Sequence, residues 1–237
     1  FRQQPFNEVI ATLIMNKLGI EHVPYTITWI DNKPYSVCED FITKDTELIS
    51  AWRVLQLRQK ANHESSYLHY VNICKELGID IVPALDRMIV LDYIIANEDR
   101  HFNNFGLLRD ANTLEWIGAA PIFDSGTSLW YDTSARGIST YDIPCKPFKK
   151  KHSEQLRMVS SFDWLDISKL NGIEDEILNI LCEDNAVQYV ESERAKAIAA
   201  EVRKRLDTLE IIVSSHNSYD ESSNGDDVEE VNAASYD

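Results

Sequence analysis

Several things are scarce in this chain of 237 residues, and each absence narrows what it does. No stretch approaches the ~20 consecutive apolar residues that a membrane-spanning helix needs, and no basic-then-apolar leader opens it. The four cysteines, Cys38, Cys74, Cys145 and Cys182, are far apart and form no C-x-x-C pair. That spacing argues against a disulfide framework or a zinc site and for reduced, packed thiols in a cytoplasmic protein. Positive charge is also short: 23 Lys and Arg face 39 Asp and Glu, a formal net charge of -16. A body this acidic disfavours direct nucleic-acid binding. No internal repeat is evident.

What is present, 44% apolar and 26% charged residues, is the composition of an ordinary globular protein with one substantial core. The exception is the stretch 215–237. It holds seven acids (Asp220, Glu221, Asp226, Asp227, Glu229, Glu230 and Asp237) and no lysine or arginine. So little branched apolar surface cannot offset the entropy of ordering, and the expectation is a disordered acidic tail.

The most informative stretch is Asn97-Glu98-Asp99-Arg100-His101-Phe102-Asn103-Asn104, followed by Phe123-Asp124-Ser125-Gly126. An aspartate, an asparagine five positions on and a later aspartate beside a glycine form a minimal polar set for phosphoryl transfer. That chemistry asks for an aligned nucleophile and for charge compensation on non-bridging oxygens, and for little covalent work by the protein. Mg²⁺ takes hard oxygen ligands and keeps several waters, so one carboxylate and one amide oxygen suffice when phosphates complete the octahedron. Asp99 is the candidate catalytic carboxylate, and Asn104 and Asp124 are the candidate metal ligands. The bland alternatives are a surface aspartate after a helix and an ordinary turn former. His101 reads as a prop for the loop through a side-chain hydrogen bond. Arg100 is divided between a phosphate contact and a surface ion pair.

The flanks support a catalytic loop. Val82 to Ala96 has helical periodicity, with Leu85, Ile89, Ile94 and Ile95 apolar. Phe105 to Leu108 and Leu114 to Ile117 read as two short strands about Asp110-Ala111-Asn112-Thr113. Ahead of them, Asn7 to Leu18 is expected as a helix with Val9, Leu13 and Leu18 on its apolar stripe, closed by Gly19. Tyr25 to Ile30 and Pro34 to Ile42 are expected as paired strands. Thr46 to His63 and Tyr67 to Leu77 are expected as helices, and Val187 to Ile212 as an amphipathic closing helix. Between Asp124 and Ser153 lies a segment of weak periodicity with the cluster Lys146, Lys149, Lys150, Lys151 and His152. That cluster either receives an acidic acceptor or is a solvated loop. Ser125, Thr127, Ser128 and Ser134 in this segment are candidate autophosphorylation positions.

At Asp99-Arg100-His101-Phe102-Asn103-Asn104 and Asp124 the sequence resembles the HipA-like serine/threonine kinases, whose catalytic loop is D-x-H-x-x-N, over about Phe6 to Leu209. The resemblance implies an α+β, mainly helical fold, a protein-kinase-like large lobe with a short N-terminal helix and a β-hairpin remnant of the small lobe. It implies that residues 1–43 are that remnant and 44–214 the helical large lobe, with 215–237 the tail. It also implies ATP and Mg²⁺ as cofactors, Asp99 as the catalytic aspartate, Asn104 and Asp124 as metal ligands, and a protein serine or threonine as acceptor. Glu39 and Phe41 match the hinge that bonds the adenine edge; the bland alternative is an edge strand ending in solvent. Glu8 matches the glutamate that pairs with a small-lobe lysine, a residue expected upstream of position 1; the alternative is an acid favoured by the helix dipole. Asn103 stands where the family commonly has lysine. An antitoxin or a partner chain carrying a small lobe is the implied partner. Two other functions fit the same residues: a non-catalytic nucleotide-binding or toxin-partner module, and a small-molecule or lipid phosphotransferase, since the D-R-H-x-x-N loop also looks like that of phosphatidylinositol kinases.

Overall fold

The computed structural model describes residues 3–138, 143–183 and 185–223, with side chains as far as residue 216. Helix α1 (Gln4–Leu18) starts with Pro5 in its first turn, where a missing N–H costs nothing, and stops at Gly19, whose left-handed φ of 67° ends the helix. Its most buried apolar face is Phe6, Ile10, Ile14 and Leu18, all no more than 6% exposed. The expected stripe was one position off: Val9 and Leu13 are only half-buried. Apolar residues surround this helix, so periodicity alone did not fix which side turns inward.

Strands β1 (Thr26–Ile30) and β2 (Lys33–Val37) pair antiparallel in register Ile30↔Lys33. Asp31 and Asn32 both have positive φ, 50° and 58°, as a tight two-residue hairpin turn requires. Strand β2 ends at Val37, short of the expected Ile42, so the residues carrying Glu39 and Phe41 are an irregular link.

Thr46–Ser50 is strand β3, not the start of a helix, and only Ala51–Leu55 (α2) is helical in the stretch expected to run to His63. Strand β3 pairs antiparallel with β4 (Gly106–Asp110), and β4 with β5 (Trp116–Ala119), in a sheet of order β3-β4-β5. The closest approach is at Ser50↔Gly106, where a Cβ on Gly106 would lie 2.2 Å from the Ile49 carbonyl oxygen. Glycine is obligatory there.

Helix α3 (Ser66–Glu76) is capped by Ser65, whose Oγ accepts the Leu68 N–H at 3.2 Å. Helix α4 (Val82–Ile94) is buried almost all round, with Leu85, Met88, Ile89, Val90, Leu91, Tyr93 and Ile94 at most 7% exposed. Short α5 (His152–Leu156) and α6 (Ile173–Leu181) follow, then α7 (Ser192–Ser223). Ile198, Val202, Leu206 and Leu209 form its fully buried stripe. Helix α7 runs past Ser215, where composition ends the folded part; the rest of the acidic tail, from residue 224, lies outside the described residues. No helix among the described residues is long and apolar enough to cross a membrane.

Candidate active site

The candidate catalytic-loop residues follow directly from the end of α4. Ala96 turns the chain with φ 50°, and Asn97 N–H bonds back to the Asp92 carbonyl at 2.9 Å. Asp92 is a carboxylate at zero exposure inside an apolar helix, which a folded protein tolerates only if it is paired. Its partner is Arg100, also fully buried, with Nε 3.0 Å from Oδ2 and Nη2 2.9 Å from Oδ1; Asn97 Nδ2 adds a third donor at 2.9 Å. Arg100 is therefore neither of the two things its sequence suggested. Burial works against its charge, but the carboxylates of Asp92, Asp124 and Glu8 outweigh that and move its pKa up.

The rest of that guanidinium organises the site. Nη1 donates to the Asn104 carbonyl at 3.3 Å, to the Asp124 carbonyl at 3.2 Å and to the Phe123 carbonyl at closer range. Nη2 donates to Ser125 Oγ at 3.0 Å. One side chain thus holds the backbone of both proposed metal ligands. Asn104 is further fixed by its Nδ2, which donates to the Asp99 carbonyl at 3.3 Å and leaves Oδ1 to accept. His101 props the loop as expected, its Nδ1 accepting the Asn103 N–H at 3.3 Å.

Asp124 is exposed and has a left-handed φ of 55°, a conformation aspartate tolerates better than most residues. It is set by what precedes and follows it. Ile122 bonds the loop after α1, its N–H on the Glu21 carbonyl at 3.1 Å and its carbonyl on the Val23 N–H at 2.9 Å. The following residues are stitched to the start of α1. Glu8 accepts the Ser125 N–H at 3.0 Å and the Gly126 N–H at 2.8 Å, and Asn7 Nδ2 donates to the carbonyls of Gly126 and Ser128 at 2.8 and 2.7 Å. Gln3 reaches the Leu129 carbonyl at 2.9 Å. Glu8 is not a first-turn acid, because the first turn of α1 holds none. Burial lifts its carboxyl to about 7, against the Ser125 hydrogen bond and with help from the Asp124 charge. A Cβ on Gly126 would fall 3.0 Å from Glu8 Oε1, so the glycine after Asp124 makes room for this carboxylate.

An open cleft of about 290 Å³ lies over these groups, lined in part by Glu8, Tyr35, Ser36, Asp124, Gly126 and Thr127. A second cleft of about 370 Å³, between the end of α1, the start of α4 and the β4–β5 hairpin, contains none of Asp99, Asn104 or Asp124. Phe41 reaches the site from the β2–β3 link, its ring 5.4 Å from that of Phe123, while Glu39 is exposed. Asp99 is half-buried, and Lys146 Nζ lies 2.6 Å from its Oδ1. Among the described residues no three His, Cys, Asp or Glu side chains gather into a metal cage. Asn104 Oδ1 and the Asp124 carboxylate have the donor chemistry that a hard divalent cation takes.

Two expectations need correction. His152 is 4% exposed and does not belong to the basic surface with Lys149, Lys150 and Lys151; burial and the nearby Arg205 charge lower its pKa to about 3. Ser125 and Ser128 are also buried, and Ser128 Oγ donates to the Ser125 carbonyl at 2.6 Å, so neither hydroxyl is presented for phosphorylation. Sequence reasoning gave no site role to Asp92, Asn97, Gln3 or Asn7. The one visible sign was Asp92 itself, a lone acid within Ile89-Val90-Leu91-Asp92-Tyr93-Ile94.

The HipA-like C-terminal domain model matches residues 1–209. The chain belongs to that family. A relative of this HipA-like domain is the serine/threonine-protein kinase CtkA of Helicobacter pylori (strain J99 / ATCC 700824), 30% identical over 132 residues. The match takes in 53% of this chain and spans 40% of the length of that relative. The crystal structure of a Helicobacter pylori proinflammatory kinase CtkA superposes with a TM-score of 0.62, 18% identity, 93% coverage of this chain and 88% of that one. The HipA-like fold is therefore mainly helical with small sheets, and it is a kinase-like large lobe.

Proposed function

We propose that this HipA-like domain transfers the γ-phosphate of ATP to a serine or threonine hydroxyl of a protein, with Mg²⁺, in the cytoplasm. The observation that carries the proposal is the Arg100 guanidinium, which bonds the backbone of Asn104 and Asp124 together while Asp99 stays half-exposed on the same loop. A domain without phosphoryl chemistry has no need to commit a buried arginine to two loops that carry these donors. Kinase relatives make a phosphotransferase the natural class.

In this scheme the hydroxyl oxygen bonds to Pγ, the bond from Pγ to the bridging oxygen breaks with its electron pair leaving on ADP, and Asp99 takes the hydroxyl proton. Asn104 and Asp124 would hold Mg²⁺, which when bound would supply positive charge against the phosphate oxygens. Phe41 supplies an apolar surface near the adenine, and Glu39 a backbone contact. An antitoxin or a small-lobe partner chain would act through the α1 face, where Glu8 meets no lysine among the described residues. That last feature favours one other function, a module that binds nucleotide without transfer.

Labelled ATP with Mg²⁺, incubated with the chain, a generic protein acceptor and lipid vesicles, separates the possibilities. Label on protein that disappears in Asp99→Asn, with ATP binding retained, is the expected result. Asp124→Asn is expected to weaken Mg²⁺-dependent binding itself. Binding without transfer identifies the module, and label confined to lipid identifies a lipid phosphotransferase. Full transfer by both variants overturns the site.

A further inference from the structure

Phosphoryl transfer leaves negative charge on the moving group that metal ligands alone do not cover, and the catalytic loop has no uncommitted cation to meet it. Arg100 is fully buried on Asp92. Asn103 is neutral and exposed, and its Oδ1 accepts a hydrogen bond from Ser50 Oγ at 3.2 Å. We propose that Lys146, from the segment after Asp124, is the catalytic cation that neutralises the transferred phosphoryl group. The inference rests on the phosphotransfer function above and adds to it a residue from outside the two motif loops.

Lys146 Nζ lies 2.6 Å from Asp99 Oδ1, with 55% of the lysine side chain and 38% of the aspartate side chain exposed. An exposed ion pair contributes too little to hold a loop in place. Something else delivers this lysine. Gln155, on α5 and 1% exposed, donates from Nε2 to the Lys146 carbonyl at 3.0 Å. Its Oε1 accepts the N–H groups of Phe148 at 3.0 Å and Lys149 at 3.3 Å. Cys145 N–H bonds the Lys150 carbonyl at 3.0 Å, closing the turn. The Phe148 ring then packs on the catalytic loop, 5.8 Å from Phe102 and 6.1 Å from Phe105, and stands edge-on to Tyr67 at 5.2 Å.

The backbone that carries Lys146 is thus clamped by a buried amide and keyed by an aromatic side chain to the loop of Asp99. Nothing comparable is needed for a chance surface pair. The long lysine stem lets Nζ swing from the carboxylate to a phosphoryl oxygen while its Cα stays fixed. That movement frees Asp99 to accept the hydroxyl proton as charge builds on the phosphoryl group. A lysine that merely plugged Asp99 would use the same contact, but its removal would have the opposite sign.

Lys146→Met, Lys146→Arg and the double variant Lys146→Met/Asn103→Lys test this in the whole chain, with a melting curve to check that each is folded. Two readouts are taken: label transfer, and calorimetric binding of Mg·ADP with and without aluminium fluoride, a mimic of the phosphoryl group in flight. Removing one electrostatic donor to a transition state costs about 10²–10³-fold. Lys146→Met is therefore expected to slow transfer at least about 10²-fold, and to weaken the fluoride complex at least about tenfold while leaving Mg·ADP binding within about twofold. Lys146→Arg keeps part of the rate, and a lysine at position 103 restores part of what Lys146→Met loses. Transfer by Lys146→Met equal to or faster than wild type, or an unchanged fluoride complex, overturns the assignment while the kinase function stands. A wild-type chain that neither transfers label nor binds the fluoride complex overturns both.

Discussion

Arg100→Met removes the side chain on which the site geometry depends, and its cost can be worked out from the contacts. Asp92, at zero exposure, would keep one donor, Asn97 Nδ2 at 2.9 Å, in place of four hydrogen bonds. Stranding one half of a buried ion pair typically costs about 3–5 kcal/mol. The carbonyls of Asn104, Phe123 and Asp124 also lose a donor, but Asp124 is exposed and water can replace part of that loss. In a chain of this size each kcal/mol shifts the melting temperature by about 2–4 °C, so the variant is expected to melt about 6–20 °C lower. Urea denaturation at neutral pH gives the free energy directly. The double variant Asp92→Leu/Arg100→Met removes both charges, and it is expected to recover at least about 2 kcal/mol relative to the sum of the single changes. A single-variant cost below about 1 kcal/mol, or simple additivity in the double variant, would refute a buried pair as the organiser of the loops.

Two glycines make a comparative prediction. A methyl group on Gly106 meets the Ile49 carbonyl oxygen at 2.2 Å, a backbone atom, whereas one on Gly126 meets first the end of the Glu8 side chain at 3.0 Å. Gly106→Ala should cost about 3 kcal/mol or more and Gly126→Ala less, by thermal denaturation; the reverse order contradicts the packing. His152 makes a pH prediction, because its folded pKa of about 3 lies below the ordinary 6.5. The unfolded chain binds the extra proton between those values, so this residue's contribution is complete above pH 6.5 and is lost as pH falls below it, by about 1.4 kcal/mol per unit. His152→Gln should flatten that slope between pH 6.5 and 5. Equal slopes in both proteins would count against a neutral buried imidazole.

What was legible in the sequence was what the chain decides locally. Helix α4, the β4–β5 hairpin and the closing helix are each written by local periodicity and turn formers. Strand β3 was misread because its partner β4 lies about sixty positions on, and Thr46-Glu47-Leu48-Ile49-Ser50 fits a helical pattern equally well without it. The same limit hid the supports of the site. Glu8 meets Ser125 across 117 positions, Asn7 meets Ser128 across 121, and Lys146 meets Asp99 across 47. No local pattern marks an amide or a carboxylate as the partner of a backbone so far away. The resemblance supplied Asp99, Asn104 and Asp124 by their spacing, but said nothing of why those residues stay where they are.

The grip of helix α7 on the rest of the molecule bears on how the domain can be cut. Arg194 bonds the carbonyls of Trp130 and Thr133 and, at 2.7 Å, Gln3 Oε1, while Arg205 bonds the Tyr93 carbonyl and lies 4.3 Å over the Tyr93 ring. Leu129 and Trp130 are held there with φ of 51° and 54°, a backbone state costly for bulky residues. A fragment trimmed to the motif loops would keep every atom of the proposed chemistry and discard two of the arginines that keep its surroundings in shape. The portable unit is therefore set by its anchors, which lie at opposite ends of the polypeptide, and a transplant of the motif by itself would carry the words without the grammar.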